Sequence, residues 1–151
     1  MNTLNYFEDF AVSQMFRAGG LTLDAQSIKE FGAKFDPQPF HLNEEAAEHT
    51  IFRGLAASGW HTTAATMRLI VDSDFHPAGG GVGLGVETLR WLAPVRPGDT
   101  LRIEIEVVDL YTPQARPTHG VVKTRTKTFN QKDEVVLDFV TSILVERRPT
   151  D

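Results

Sequence analysis

The stretch from Leu55 to Val71 limits the folds open to this chain more than any other. After Ser58-Gly59 it reads Trp60-His61-Thr62-Thr63-Ala64-Ala65-Thr66-Met67-Arg68-Leu69-Ile70-Val71, small or apolar on nearly every face. A helix without a wide polar face has to be covered by other elements, and the cover is legible further along. Leu101, Ile103, Ile105 and Val107 alternate with Arg102, Glu104 and Glu106, while Val135, Leu137, Phe139, Thr141, Ile143 and Val145 alternate with Asp138, Ser142 and Glu146. Period two marks strands with one face on a core. Between them Lys123, Arg125 and Lys127 share one face and Thr124, Thr126 and Thr128 the other, and Asn130-Gln131-Lys132-Asp133 supplies a hairpin turn. A further strand over 86–93 joins the strand over 100–110 through Arg96-Pro97-Gly98-Asp99. The pattern predicts a meander of at least four antiparallel strands wrapped around one buried helix, an α+β architecture.

The rest of the chain adds shorter elements. Asp24 can cap a helix from Ala25 to about Lys34, with Ile28, Phe31 and Phe35 at helical spacing. Asn43 can cap an acidic helix from Glu44 to about His49. Gly19-Gly20 reads as a turn, and Gly79, Gly80, Gly81, Gly83 and Gly85 read as a flexible connection. A phosphate loop would need Lys-Ser or Lys-Thr after the glycines, and the sequence has neither.

Size and charge narrow the function. A chain of 151 residues with 41% hydrophobic content fits one domain, 1–151. A net charge of −5 argues against a nucleic-acid partner. The chain has no cysteine, which excludes disulfides, thiolate zinc sites and cysteine nucleophiles. No run approaches the roughly 20 apolar residues of a membrane span, and nothing near Met1 reads as a signal peptide, so a cytoplasmic protein is expected.

The chemistry concentrates in Phe35-Asp36-Pro37-Gln38-Pro39-Phe40-His41-Leu42-Asn43. Pro37 and Pro39 fix their own φ and push Asp36 and Gln38 away from helix, so a carboxylate and an imidazole are held in one rigid turn. Together they could grip a water. By spacing alone, a turn-forming Asp and a structural His account for the same residues. His49, His61, His76 and His119 have no partner at ligand spacing and read as structural or surface groups; no metal site is expected.

Three segments resemble the MaoC-like dehydratase and (R)-specific enoyl-CoA hydratase family. Asp36-Pro37-Gln38-Pro39-Phe40-His41 is similar to the family's hydratase turn, Ser58-Gly59-Trp60 to the loop opening its central helix, and Trp91-Leu92-Ala93-Pro94-Val95-Arg96-Pro97-Gly98-Asp99-Thr100-Leu101 to its strand-turn-strand. Gln38 departs from the usual Asn, and Ser58 from the His of many members. The resemblance implies a hot dog domain that hydrates enoyl-CoA thioesters reversibly. Asp36 and His41 would be the acid–base pair and the Gly59 N–H the oxyanion donor, with Pro39, Phe40, Ser58 and Trp60 binding substrate. It further implies a homodimer or higher oligomer, an acyl-CoA partner, and no cofactor beyond the substrate's coenzyme A. A thioesterase and a non-catalytic acyl-CoA-binding protein are the alternatives within the same fold.

Overall fold

The computed structural model describes residues 3–150. After a single 3-10 turn at Phe7–Asp9 the chain forms β1 (Met15–Leu23), α1 (Ala25–Phe35), α2 (Pro39–Leu42), α3 (Glu44–Glu48), α4 (Gly59–Asp72), β2 (Val82–Trp91), β3 (Asp99–Tyr111), β4 (His119–Phe129) and β5 (Val135–Glu146). The strands make one antiparallel sheet in the order β1-β3-β4-β5-β2.

The alternating strands behave as their period requires. Leu101, Ile103, Ile105 and Val107 are each no more than 1% exposed and form the core with Val122, Leu137, Phe139 and Val145. The opposite face carries ion pairs, among them Lys123 with Glu87 and Arg125 with Asp138. Two sequence expectations change here. The strands are not a simple meander, because β2 pairs with β5 and lies at the far edge from its chain neighbour β3. Nor is Gly19-Gly20 a turn: both glycines lie inside β1, at a register shift against β3. The shift is the local irregularity that glycine permits within a paired strand. The glycine-rich connection also ends earlier than its composition suggests, since Gly83 and Gly85 already belong to β2.

Helix α4 crosses the sheet and begins where the sequence places it, with Ser58 as N-cap. Thr62, Ala65, Thr66 and Leu69 bury one face, and Thr66 and Thr128 join their hydroxyls at 2.6 Å beneath it. The helix is not covered on every side within one protomer: Trp60, Met67 and Val71 are each more than half exposed. The edge strand β2 leaves Val82, Leu84 and Val86 equally bare.

Candidate active site

Helix α1 ends by delivering Asp36. Its backbone N–H still bonds Gly32 O at 2.8 Å, but Pro37 prevents further helix, and Asp36 leaves the helical region with φ −150° and ψ 65°. Gln38 is extended, and Pro39 opens the one-turn helix α2 that carries His41. Helices α1 and α2 press together at Gly32, where a Cβ would lie 2.8 Å from His41 O. That close approach folds His41 back toward Asp36, with Asp36 Oδ2 and His41 Nε2 3.2 Å apart.

Each group of this pair is held by further bonds. Gln38 Nε2 donates to Asp36 Oδ1 at 2.5 Å, and Ser58 Oγ donates to Asp36 Oδ2 at 2.7 Å. Burial alone would raise the Asp36 carboxyl; the Gln38 and Ser58 hydrogen bonds, with the adjacent His41, outweigh it and hold the carboxyl below the usual carboxylate range. His41 is 4% exposed, and its Nδ1 lies 2.6 Å from Ala56 O. A carbonyl can only accept, so Nδ1 carries a proton and donates it to Ala56 O, which turns Nε2 toward Asp36. Phe40 packs edge-on against the His41 ring at 4.6 Å, and Phe52 backs Phe40 at 4.9 Å.

The carbonyl that orients His41 belongs to a buried loop, Leu55 to Ser58, in which no residue is more than 7% exposed. Arg96 staples the approach to this loop: Nη1 donates to Gly54 O (3.0 Å) and Leu55 O (3.3 Å), and Nη2 donates to Phe52 O. Two backbone bonds continue the clamp, Ala56 N to Phe40 O and Ala57 N to Val95 O, both 2.9 Å. One short loop thus presents Ala56 O to His41, Ser58 Oγ to Asp36 and, at its end, the start of α4.

A cavity of about 260 Å³ opens at this point, lined by His41, Phe52, Gly59, Thr62, Trp91 and the Leu92–Val95 segment. Asp36 adjoins it through His41 and keeps 20% of its side chain exposed. The first bonds of α4 run from Trp60 N to Ser58 Oγ, and from His61 N and Thr62 N to Ser58 O. Gly59, the first residue of α4, lines the cavity, so the positive end of a helix meets it there.

The expected residues are therefore brought together, though not all in the expected way. Asp36, His41 and Gly59 converge. Ser58 was expected against substrate, but it is fully buried and spends its hydroxyl on Asp36. Gly59 packs directly against Trp91, since a Cβ there would sit 2.5 Å from the ring. Pro39 is exposed and away from the cavity lining, Phe40 supports His41, and Trp60 is 58% exposed beside Trp91. Sequence reasoning missed Arg96, Ala56 O and Trp91 as parts of the site. His61 stacks on Phe31 at 4.7 Å, and burial pushes its imidazole below the ordinary range.

A five-stranded antiparallel sheet over a central helix is the hot dog fold. More narrowly, the chain belongs to the MaoC-like domain family, whose model matches residues 10–130. It is 30% identical to the uncharacterized protein YdeM of Bacillus subtilis over 93% of this chain and 98% of that one. It is 27% identical to an (R)-specific enoyl-CoA hydratase of Rhodospirillum rubrum, over 96% of this chain and 94% of the relative. Among solved structures, a MaoC-like dehydratase from Rhodospirillum rubrum superposes with a TM-score of 0.92 at 46% identity, covering 97% of this chain and 99% of the other.

Proposed function

We propose that this protein is a hydro-lyase that adds water reversibly across the 2,3 double bond of an enoyl-CoA thioester. The observation that carries the reading is the 3.2 Å contact between Asp36 and His41 beside a cavity that also meets the start of α4. The names of the relatives support the same class of reaction.

Hydration needs a water aimed at C3, a proton for C2 and a countercharge for the thioester oxygen. Asp36 and His41 would each hydrogen-bond to one water lying beside their 3.2 Å contact. As its oxygen bonds to C3, one proton leaves the water and is held by the coupled pair; one proton returns to C2, so hydroxyl and hydrogen are both accounted for. The Ala56 carbonyl keeps His41 in the tautomer whose Nε2 takes part, and Gln38 and Ser58 fix the carboxylate. The enolate oxygen would lie on the Gly59 N–H, a donor worth about 3 to 4 kcal/mol in comparable sites. No cofactor beyond the substrate's coenzyme A enters this chemistry.

The same reading includes one domain over 1–151, a cytoplasmic setting and a homodimer. No helix of the described residues is long and apolar enough to cross a membrane. The edge strand β2 and the outer face of α4 together expose Trp60, Met67, Val71, Val82, Leu84 and Val86, and a second copy of the chain would cover them.

Incubation with crotonyl-CoA tests the reaction. Loss of enoyl absorbance without free thiol is the expected result. Thiol release with the double bond intact would make the protein a thioesterase, and tight binding with neither change would make it an acyl-CoA-binding module.

A further inference from the structure

Ser58 serves two structures with one oxygen. It is fully buried at the N-cap of α4, where its Oγ accepts from Trp60 N at 3.3 Å and donates to Asp36 Oδ2 at 2.7 Å. A hydroxyl has a single hydrogen and a carboxylate has none, so the bonds run one way, from the helix start through Ser58 to Asp36. The two links are unequal. At 3.3 Å the cap is longer than an ordinary N–H···O bond, whereas 2.7 Å is the length of a hydroxyl bound to a charged oxygen. The start of α4 is secured in any case by the Ser58 backbone, whose carbonyl accepts from His61 N at 2.9 Å and Thr62 N at 3.1 Å. The side chain therefore works more for the carboxylate than for the helix.

Asp36 Oδ2 is also the atom that lies 3.2 Å from His41 Nε2. Ser58 grips it from the buried loop while His41 faces it from α2. The same loop supplies the Ala56 carbonyl that orients His41, and Arg96 clamps its approach. Both members of the pair thus take their positions from one buried segment. Among the described residues no other charged side chain pairs with Asp36. The nearby cations are engaged elsewhere: Lys34 of α1 lies over the Phe35 ring, Lys29 pairs with Glu44 of α3, and Arg96 holds loop carbonyls. His61 of α4 stacks on Phe31.

We propose that Ser58 is a positioning residue that acts through Asp36: its hydroxyl holds the carboxylate oxygen that faces His41 and sets the lower pH limit of the reaction. This rests on the enoyl-CoA hydratase reading above and adds to it the group that governs its acid limb. Burial raises the Asp36 carboxyl, and the Gln38 and Ser58 bonds together with His41 bring it below the usual range. Removing a bond that favours the charged form moves a carboxyl upward, so the acid limb should move to higher pH.

Ser58→Gly and Ser58→Ala separate this role from capping. Glycine caps a helix almost as well as serine and alanine caps poorly, but neither carries a hydroxyl. The test records kcat/KM for crotonyl-CoA against pH in wild type and both variants. Each variant should lose about 10-fold near neutrality and carry the acid limb upward, with butyryl-CoA affinity retained. Only Ser58→Ala should also melt clearly lower, as a poor cap. If one variant does not fold, the profile of the other decides. An acid limb that stays at the wild-type pH overturns the proposal, and so does a shift in Ser58→Ala that Ser58→Gly lacks, because the helix cap alone would then account for it. If wild type does not hydrate crotonyl-CoA, the hydratase reading fails by itself. The hold on Asp36 is then read from its carboxyl titration by carbon-13 NMR, where a higher midpoint in Ser58→Gly upholds it and an unchanged midpoint overturns it.

Discussion

The two ends of α4 are built on opposite principles. At the N-terminal end nearly every polar group is matched: Asp36 accepts from Gln38 and Ser58, His41 bonds Ala56 O, and three loop carbonyls share the Arg96 guanidinium. At the C-terminal end one face is apolar and bare, with Met67 and Val71 exposed beside a chamber whose Thr141 hydroxyl has no partner among the described residues, while Arg68 and Asp72 pair on another face. The contrast separates two tasks. The groups proposed to move protons are held by bonds within one protomer, whereas the surface proposed to meet a second copy is left bare. Preorganised polar groups of the first kind cost little reorganisation at the moment of reaction.

Breaking the ordered end should have the largest effect. Asp36→Asn and His41→Ala are each expected to lower crotonyl-CoA turnover by about 10²- to 10⁴-fold while circular dichroism stays native. Next comes Gly59→Ala. Its new methyl would meet the Trp91 ring and displace either the indole or the helix start, at about 1 to 3 kcal/mol of stability, measurable by denaturant titration. Arg96→Ala leaves the carbonyls of Phe52, Gly54 and Leu55 without their cation. It should cost about 1 to 3 kcal/mol and lower kcat more than it raises KM, because the loop that orients His41 loosens.

At the open end, Leu84→Lys should leave the fold intact and shift sedimentation toward monomer, since it charges an exposed edge strand. The smallest effect is on pH dependence. The Asp36 carboxyl is depressed in the folded state, so its ionisation adds stability above the unfolded carboxylate pKa and loses it as pH falls through the lower folded value. The melting-temperature advantage of wild type over Asp36→Asn should accordingly be constant near neutrality and shrink below about pH 4.

What could be read from the sequence follows the range of the interactions. Asp36 and His41 lie on one proline-bounded turn, so their convergence is a local matter. The alternating strands β3 and β5 announce themselves because one face is core. Strand β2 does not: Gly83, Gly85 and exposed Val82, Leu84 and Val86 carry no buried face, and its pairing with β5 is a long-range choice. The site's supports were hidden for the same reason. A backbone carbonyl such as Ala56 O has no residue signature, and Arg96 reaches carbonyls more than 40 positions away. Trp91 sits in a legible motif, but its contact with Gly59 depends on how α4 crosses the sheet.

The central claim is that the pair of Asp36 and His41 moves the proton of a hydrating water. It is tested most directly by following crotonyl-CoA with wild type and Asp36→Asn, recording enoyl absorbance and free thiol together. The account predicts rapid loss of absorbance with no thiol for wild type, and a fall of about 10²-fold or more for the variant with acyl-CoA affinity retained. Equal hydration rates in the two proteins would contradict it.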